Sequence, residues 1–191
     1  VGCTDMGTGC DTIIAQFVAD SLDTDIDNIA VFGVDTDTSP YDSGSYASST
    51  TYLTGMAAVK AAEQMREKLL QLAAKILEED ITKLEFDGKR VFCEETGKEV
   101  SLFDLATASM VNNEIALEVT YSHSSPVSPP PFMAACAEVE VDPETGAIEL
   151  LDYTACVDCG TVVNTNLARV QTEGGLLQGI GMTLYEDVWY N

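Results

Sequence analysis

The stretch from about residue 50 to 79 constrains this chain more than any other. Ala57, Ala58, Ala61, Ala62, Met65, Leu69, Leu72, Ala73 and Ile76 recur at helical spacing and form one apolar stripe. Lys60, Glu63, Arg66, Glu67 and Lys68 form the wet face. The first turns carry Gly55, Ala57, Ala58, Ala61 and Ala62, small residues that let another element pack close. Helical and strand periods alternate on either side. Ile13, Ile14, Phe17, Val18 and Leu22 predict a helix over 12–22 after a short strand and a glycine turn. Residues 29–34 predict a strand. A loop rich in Asp, Ser, Thr, Gly and Pro, DTDTSPYDSGSYASSTTY, then leads into the long helix. Loops of that length between packed elements are often functional.

Downstream, residues 81–100 predict short strands around Asp87-Gly88, a hairpin dipeptide, followed by a short helix over 103–109. Residues 114–121 alternate like a strand, and 123–131 form a Ser/Pro loop. Two strands over 134–141 and 147–157 are joined by DPETG, a turn composition. The last predicted helix, over 167–184, carries Gly174, Gly175, Gly179 and Gly181. Each glycine costs a helix roughly 1 kcal/mol against alanine, so close approach of a ligand or another backbone is the expected reason. The fold class read from this order is α+β, with mixed β-sheets packed with helices. Two lobes are expected: 1–111, a first α/β lobe, and 112–191, a strand hairpin plus the glycine-rich helix.

Charge narrows the function classes. Acidic residues number 32 and basic ones 9, a net charge of −23. Nucleic acid and anionic membrane surfaces are disfavoured as partners, because phosphate neutralisation needs a basic face. No run of 18 apolar residues exists, so no transmembrane helix is expected. The first ten residues have neither the basic nor the apolar region of a signal peptide. The chain opens without Met and ends on EDVWYN, and is expected to be a piece of a longer, cytoplasmic polypeptide. Cys3, Cys10, Cys93, Cys136, Cys156 and Cys159 are expected as reduced thiols, since a chain that is 46% hydrophobic needs no staples.

Three glycine-bearing motifs could carry chemistry. Met6-Gly7-Thr8-Gly9-Cys10-Asp11-Thr12 lies between a strand and a helix start, where free N–H groups favour an anion. It lacks the Gly-Lys-Ser/Thr of a P-loop and the third glycine of the dinucleotide fingerprint, and a plain tight turn explains it as well. Gly44-Ser45-Tyr46-Ala47-Ser48-Ser49-Thr50 precedes the long helix. An N-cap accounts for one of its hydroxyls, not for all. Gln178 stands among glycines on a largely apolar helix, and a buried amide there needs partners. Other signals fail. Two Asp-rich starts, at Asp23 and Asp35, lack the glycine and glutamate of a calcium loop. Cys156-Val157-Asp158-Cys159 is a lone pair where zinc needs two, and His123 is the only histidine, in a loop.

Together these segments resemble the molybdenum-cofactor-binding subunit of the xanthine dehydrogenase/aldehyde oxidase family of molybdenum hydroxylases. DMGTGCDTIIAQFVADSL is similar to the family's glycine turn and helix. DTDTSPYDSGSYASSTTYLTGMAAVKAA is similar to its Asp-Thr loop and alanine-rich helix. AEVEVDPETGAIELLDYTACVDCGTVVN is similar to its hairpin, and QTEGGLLQGIGMTLYED to its Gln-x-x-Gly-Gly helix. The order is the family's, and the detail is nearest to bacterial members of nicotinate dehydrogenase and purine hydroxylase types.

The resemblance implies an aldehyde oxidase/xanthine dehydrogenase-type molybdopterin-binding domain, present as a fragment. Gly7, Thr8 and Gly9, with Cys10 beside them, would lie against the pterin dithiolene or its pyrophosphate. Many relatives have Gln where this chain has Thr8, and the shorter side chain reaches less far. Ala47, Ser48, Ser49 and Thr50 match the segment that holds the pterin and its phosphate, and Gln178 the glutamine near the metal's apical ligand. Molybdenum would be held through the pterin, with no direct protein ligand. No catalytic residue is expected in this chain, because the family's general-base glutamate lies downstream of the glutamine helix. The implied protein oxidises an N-heteroaromatic (xanthine, purine or nicotinate-like) or aldehyde substrate with water as oxygen source. It would carry molybdopterin, in the cytosine dinucleotide form that bacterial relatives favour. Its implied partners are the other molybdopterin-binding segment or subunit and iron–sulfur and FAD subunits. Two rivals are a cofactor-free structural subunit derived from the same family and an unrelated acidic binding module.

Overall fold

A computed structural model of the chain describes residues 1–33, 35–112 and 115–190. Two compact units divide it, Val1–Pro126 and Val127–Asn191. The lobe break expected near Asn112 adjoins residues 113–114, which lie outside the described residues.

In the first unit, α1 (Cys10–Ser21) buries Cys10, Ile14, Ala15 and Ala19 along one face. It ends where Asp23 turns left-handed at φ 52°. The Thr24 N–H then donates to the Ala19 carbonyl at 3.0 Å and the Asp23 N–H to that of Asp20 at 3.3 Å, satisfying carbonyls that the helix leaves open.

The second helix, α2 (Thr50–Leu77), buries Gly55, Ala62 and Leu69, each two turns after the last, so they share a face. That face is graded, small first and large later. At its small end α2 packs on α1. A Cβ at Gly55 would lie 2.6 Å from Cε2 of Phe17, so the aromatic ring rests directly on the glycine. At its large end Leu69, Leu72 and Ala73 meet Leu84, Phe86, Val91, Cys93, Val100 and Leu105 in the main core.

That core is floored by an antiparallel sheet of β1 (Glu85–Phe86), β2 (Arg90–Phe92) and β3 (Glu99–Ser101), in that order. Phe86 pairs with Val91 and Val91 with Val100, which puts the three buried side chains on one face. The α3 helix (Leu102–Asn112) follows and contributes Leu105. Arg66, expected on the wet face, instead donates to the Phe86 carbonyl at 3.0 Å and lies over its ring.

Three expected strands are not formed. Residues 115–121 do alternate, and Ile115 and Leu117 pack on the core. The carbonyls of the residues that follow them are taken by the Lys68 ammonium, at 3.1 Å from Ala116 and 2.6 Å from Glu118, so no ladder is made. Residues 29–33 and the first residues run side by side, with the Val1 amino group donating to the Phe32 carbonyl at 2.8 Å, but neither is a strand. The predicted strand ends, Val34 and Glu114, lie outside the described residues.

The second unit is a hairpin and a helix. β4 (Phe132–Val141) and β5 (Ile148–Asp158) pair antiparallel with a bulge at Glu138/Val139. The Asp142 carboxylate makes the turn, accepting from the Glu144 N–H at 2.8 Å and the Thr145 hydroxyl at 2.7 Å. The last helix is α4 (Thr165–Leu184). Among the described residues of this unit none is buried. The α+β class is therefore present, with both described sheets antiparallel. All six cysteines are free thiols; Cys3, Cys10 and Cys93 are buried and Cys136, Cys156 and Cys159 exposed. Among the described residues no helix is long and apolar enough to cross a membrane.

Two glycines of the first unit separate backbone strain from crowding. Gly97 has φ 69° with open space where a Cβ would stand, whereas Gly88 has φ 82° and its Cβ would lie 1.9 Å from the Asp23 carbonyl oxygen. Gly97→Ala should cost about 1 kcal/mol, the left-handed penalty alone. Gly88→Ala should cost about 3 kcal/mol, because displacement of the α1 terminus is added. Denaturant unfolding of the two variants checks the ratio; equal losses would remove the packing of the hairpin turn on α1 as its cause.

Candidate functional site

The glycine turn that opens α1 is built around a side chain that the sequence reading passed over. Gly7 and Gly9 have φ 99° and 77°, angles that favour glycine. Asp5 Oδ1 accepts from the Gly7 N–H at 2.9 Å and the Gly9 N–H at 3.1 Å, and Oδ2 from the Asp11 N–H at 3.4 Å. These bonds, that of Gly7 foremost, hold the Asp5 carboxyl below the usual carboxylate range. Three of the N–H groups expected to be free for a foreign anion, those of Gly7, Gly9 and Asp11, are therefore taken by the chain's own carboxylate. The available signal was a short acidic side chain two residues before Gly-x-Gly, the spacing of an Asx turn.

Thr8 is half-buried and Gly7 exposed, and a Cβ at Gly7 would meet nothing within 4 Å. Cys10 is buried beside Cys3 and Ile14. Burial first, then the proximity of Cys3 and Asp5, pushes its thiol up to about 12, so it stays neutral and is no thiolate ligand at ordinary pH. Asp5, Cys10 and Asp11 bring their ligand atoms within 4.8 Å of one another, but both Asp5 oxygens face backbone N–H groups.

The second segment differs in kind. Ala47 and Ser48 are both left-handed, at φ 54° and 56°, without being glycine. Each such residue costs about 1 kcal/mol, and strain of this sort persists where the surroundings fix it. Ala47 and Ser48 are exposed, Thr50 is half-buried, and Ser49 is the one buried polar residue among those described. Ser49 stands at the N-cap of α2, and its side chain makes no cap bond. The other helices are provided for. Asp5 serves α1. Ser101 Oγ accepts from the Asp104 N–H at 3.1 Å before α3, and Asn164 Oδ1 from the Leu167 N–H at 3.1 Å before α4. The loop ahead of α2 is tied by Asp42, which accepts from the Gly44 N–H at 2.8 Å and the Thr54 hydroxyl at 3.5 Å.

Both segments lie in the first unit, at the starts of two helices that pack together. Gly2 lets the loop pass over the first residues, since its Cβ would lie 2.4 Å from the Pro40 carbonyl oxygen. Gln178 lies in the second unit and is exposed, not the buried amide expected. Gly174, Gly175 and Gly179 have nothing within 4 Å of their Cβ positions, so no close approach among the described residues explains them.

A family model described as the molybdopterin cofactor-binding domain matches residues 1–191. The chain belongs to that family. Its sequence is 37% identical over 191 residues to a probable hypoxanthine oxidase of Escherichia coli, covering 100% of this chain and 20% of that protein. It is 33% identical to the gamma subunit of the 6-hydroxypseudooxynicotine dehydrogenase complex of Paenarthrobacter nicotinovorans, over 99% of this chain and 25% of the relative. Its structure is similar to a carbon monoxide-reduced Cu,Mo-CO dehydrogenase, with TM-score 0.84, 30% identity, and coverage of 100% of this chain and 24% of that one. This domain thus spans a fifth to a quarter of the length of these relatives.

The Asp5 bonds make a pH prediction for the molybdopterin-binding domain. The folded carboxyl titrates below its unfolded value, so its contribution is complete above the unfolded value and disappears as pH falls through the folded one. The acid limb of unfolding free energy against pH should be shallower in Asp5→Asn than in the native protein, with the two converging at the most acidic end. Parallel limbs would show that the three N–H bonds do not stabilise the charged form.

Proposed function

We propose that this chain forms part of the molybdopterin cradle of a molybdenum hydroxylase. The observation that carries the reading is the start of α2: two strained left-handed residues, Ala47 and Ser48, expose backbone ahead of a helix whose N-cap Ser49 makes no side-chain cap. An uncapped helix start favours an anion through its N–H groups and dipole. We assign the phosphate-bearing end of the pterin to Ala47, Ser48, Ser49 and Thr50. Gly7 is exposed beside open space, with the half-buried Thr8 and Gly9 next to it, and Cys10 supports them from the core. Gln178 is kept as a cofactor contact on the family resemblance. The glycines beside it leave a bare helix face for a cofactor or another backbone.

The group fits these residues, and when bound it supplies the redox chemistry of hydroxylation with water as oxygen source. The chain's own share is to hold and orient. The first unit fixes two helix starts, and the second presents a glycine face. No side chain here is assigned acid–base work; the general-base glutamate belongs to a further segment. For the whole protein we propose oxidation of an N-heteroaromatic substrate (xanthine, purine or nicotinate-like) or an aldehyde, in the cytoplasm. The pterin is proposed in its cytosine dinucleotide form. Relatives that are a complex subunit gamma and a CO dehydrogenase large chain support partner subunits, proposed to carry iron–sulfur clusters and FAD. The unburied second unit, with Met133, Val139, Leu151 and Leu177 exposed, supports a further molybdopterin-binding segment packed on it.

Thr8 and the filled glycine turn favour the second reading, a structural subunit without cofactor. Elemental analysis for molybdenum and fluorescence of the oxidised pterin, on the natural protein containing this chain, separate the two. About one molybdenum per copy is expected; none in an otherwise fully loaded complex overturns the cradle. Gly175→Leu adds a sharper arm. Nothing among the described residues contacts that position, and leucine suits a helix better by roughly 1 kcal/mol. Thermal stability of the isolated chain should hold or rise while molybdenum content of the full protein falls. Unchanged content would remove the glycine face from the site.

A further inference from the structure

We propose that Asp87–Gly88 is a latent isomerisation site of this chain and that Arg90 guards it by holding the Asp87 carboxylate. The inference is independent of the cofactor reading above. The sequence has one Asp-Gly pair and no Asn-Gly pair. Glycine has no side chain to hinder attack of its own nitrogen on the preceding carboxyl, so the reaction is easiest at this bond. The Gly88 nitrogen bonds to Cγ of Asp87, and the hydroxyl of the protonated carboxyl leaves with the amide hydrogen as water. Water then opens the five-membered imide at the former main-chain carbonyl, and the chain runs on through Cβ and Cγ. The product is an isomer of equal mass with one methylene more in its backbone. The structure opposes the first step. Asp87 Oδ1 accepts from the Lys89 N–H at 3.0 Å and the Arg90 N–H at 3.0 Å, and Oδ2 from Arg90 Nε at 3.2 Å. Both oxygens are thus held by donors that favour the ionised form, which has no hydroxyl to expel. These bonds, that of the Arg90 N–H foremost, keep the carboxyl below the usual range. Arg90 is itself fixed by Glu99 on β3 and by the Phe92 ring, 5.1 Å from its guanidinium carbon. The Asp87 side chain is 39% exposed, so the protection comes from the clamp and not from exclusion of water. Failure would be felt in the core. Gly88 is buried against the Asp23 carbonyl at the end of α1, and Phe86 and Val91 pair across the turn. An added backbone atom disturbs both fits.

The test is ageing of the full protein containing this chain, at physiological temperature and neutral pH. Trypsin releases residues 84–89, a peptide with a single aspartate, and its isoaspartyl form separates chromatographically at equal mass. In the folded native protein this peptide should isomerise about tenfold more slowly than in the same protein held unfolded in urea. Equal rates overturn the inference, and this arm needs no variant to fold. Arg90→Leu removes the side-chain donor and the charge, and should raise the folded rate about fivefold. Arg90→Lys restores the charge without the planar fork and should lie between the two. Lys98→Ala is the control. It breaks the neighbouring ion pair with Glu79 and the bond to the Leu77 carbonyl, and it leaves the Asp87 contacts in place. Acceleration in Arg90→Leu with partial return in Arg90→Lys, and none in Lys98→Ala, is the expected result. Equal acceleration in Lys98→Ala makes general loosening of the sheet the cause and overturns the role of Arg90, as does a native rate in Arg90→Leu. If Arg90→Leu does not fold, Arg90→Lys must still exceed the native rate, and a native rate there overturns the inference.

Discussion

The contact on which the candidate site depends is the seating of Phe17 on Gly55. A glycine at that place lets an aromatic ring of α1 lie against the backbone of α2, where any Cβ would intrude at 2.6 Å. The helices approach closely there because the stripe of α2 begins small. Both candidate segments are attached to this pair, the glycine turn at the start of α1 and residues 47–50 at the start of α2. The large end of the same stripe, from Leu69 onward, is anchored on the three-stranded sheet. One graded helix face therefore does two things. It fixes α2 by burying leucines at one end, and it leaves the other end thin enough for α1 to lie directly on it.

The periodic elements were legible in the sequence because their pattern is local. The stripe of α2, the Asp87-Gly88 turn, the DPETG hairpin and the glycine helix all stand where their spacing predicts, within a few residues. Residues 115–121 were misread for a physical reason. Alternation reports which side chains are buried, and Ile115 and Leu117 are packed; it does not report what binds the carbonyls of Ala116 and Glu118. Lys68, fifty residues away in sequence, takes that role, and no local rule announces it. Arg66 is a similar case, a residue of the expected wet face that reaches a sheet carbonyl. Long cationic side chains cross from one class to the other by reach.

The candidate site was legible in outline and not in polarity. Glycines at 7 and 9, hydroxyls at 48–50 and the glycines around Gln178 mark the segments. They do not say which N–H groups are already spoken for. That depends on Asp5, whose short side chain returns onto the turn and satisfies in advance the donors that made the motif attractive. The converse holds at α2, where a run of Ser and Thr looks like ample capping and supplies no cap, because Ala47 and Ser48 bend the chain into the left-handed region just before the helix. A motif with an acid two residues upstream and a motif rich in hydroxyls thus exchange the roles that composition gives them.

The two units also differ in what completes them. The first closes its own core, from Leu69 and Val91 to Leu105. The second is a two-stranded hairpin and a helix with no buried residue among those described, an arrangement too thin to stabilise itself by burial. Its glycines conform to the same logic. Glycine in a helix is a loss unless something lies against it, and around Gly174, Gly175 and Gly179 the described residues place nothing. A surface that sacrifices helix propensity without gaining contact among the described residues supports the proposed packing of a cofactor or a further segment on it. Relatives four to five times longer, as their 20–25% coverage implies, have ample polypeptide to supply it. The bare face of α4 and the uncapped start of α2 are thus the same kind of feature. Each leaves stabilisation unmade among the described residues, and that shared deficit is what supports assigning both to the proposed cradle.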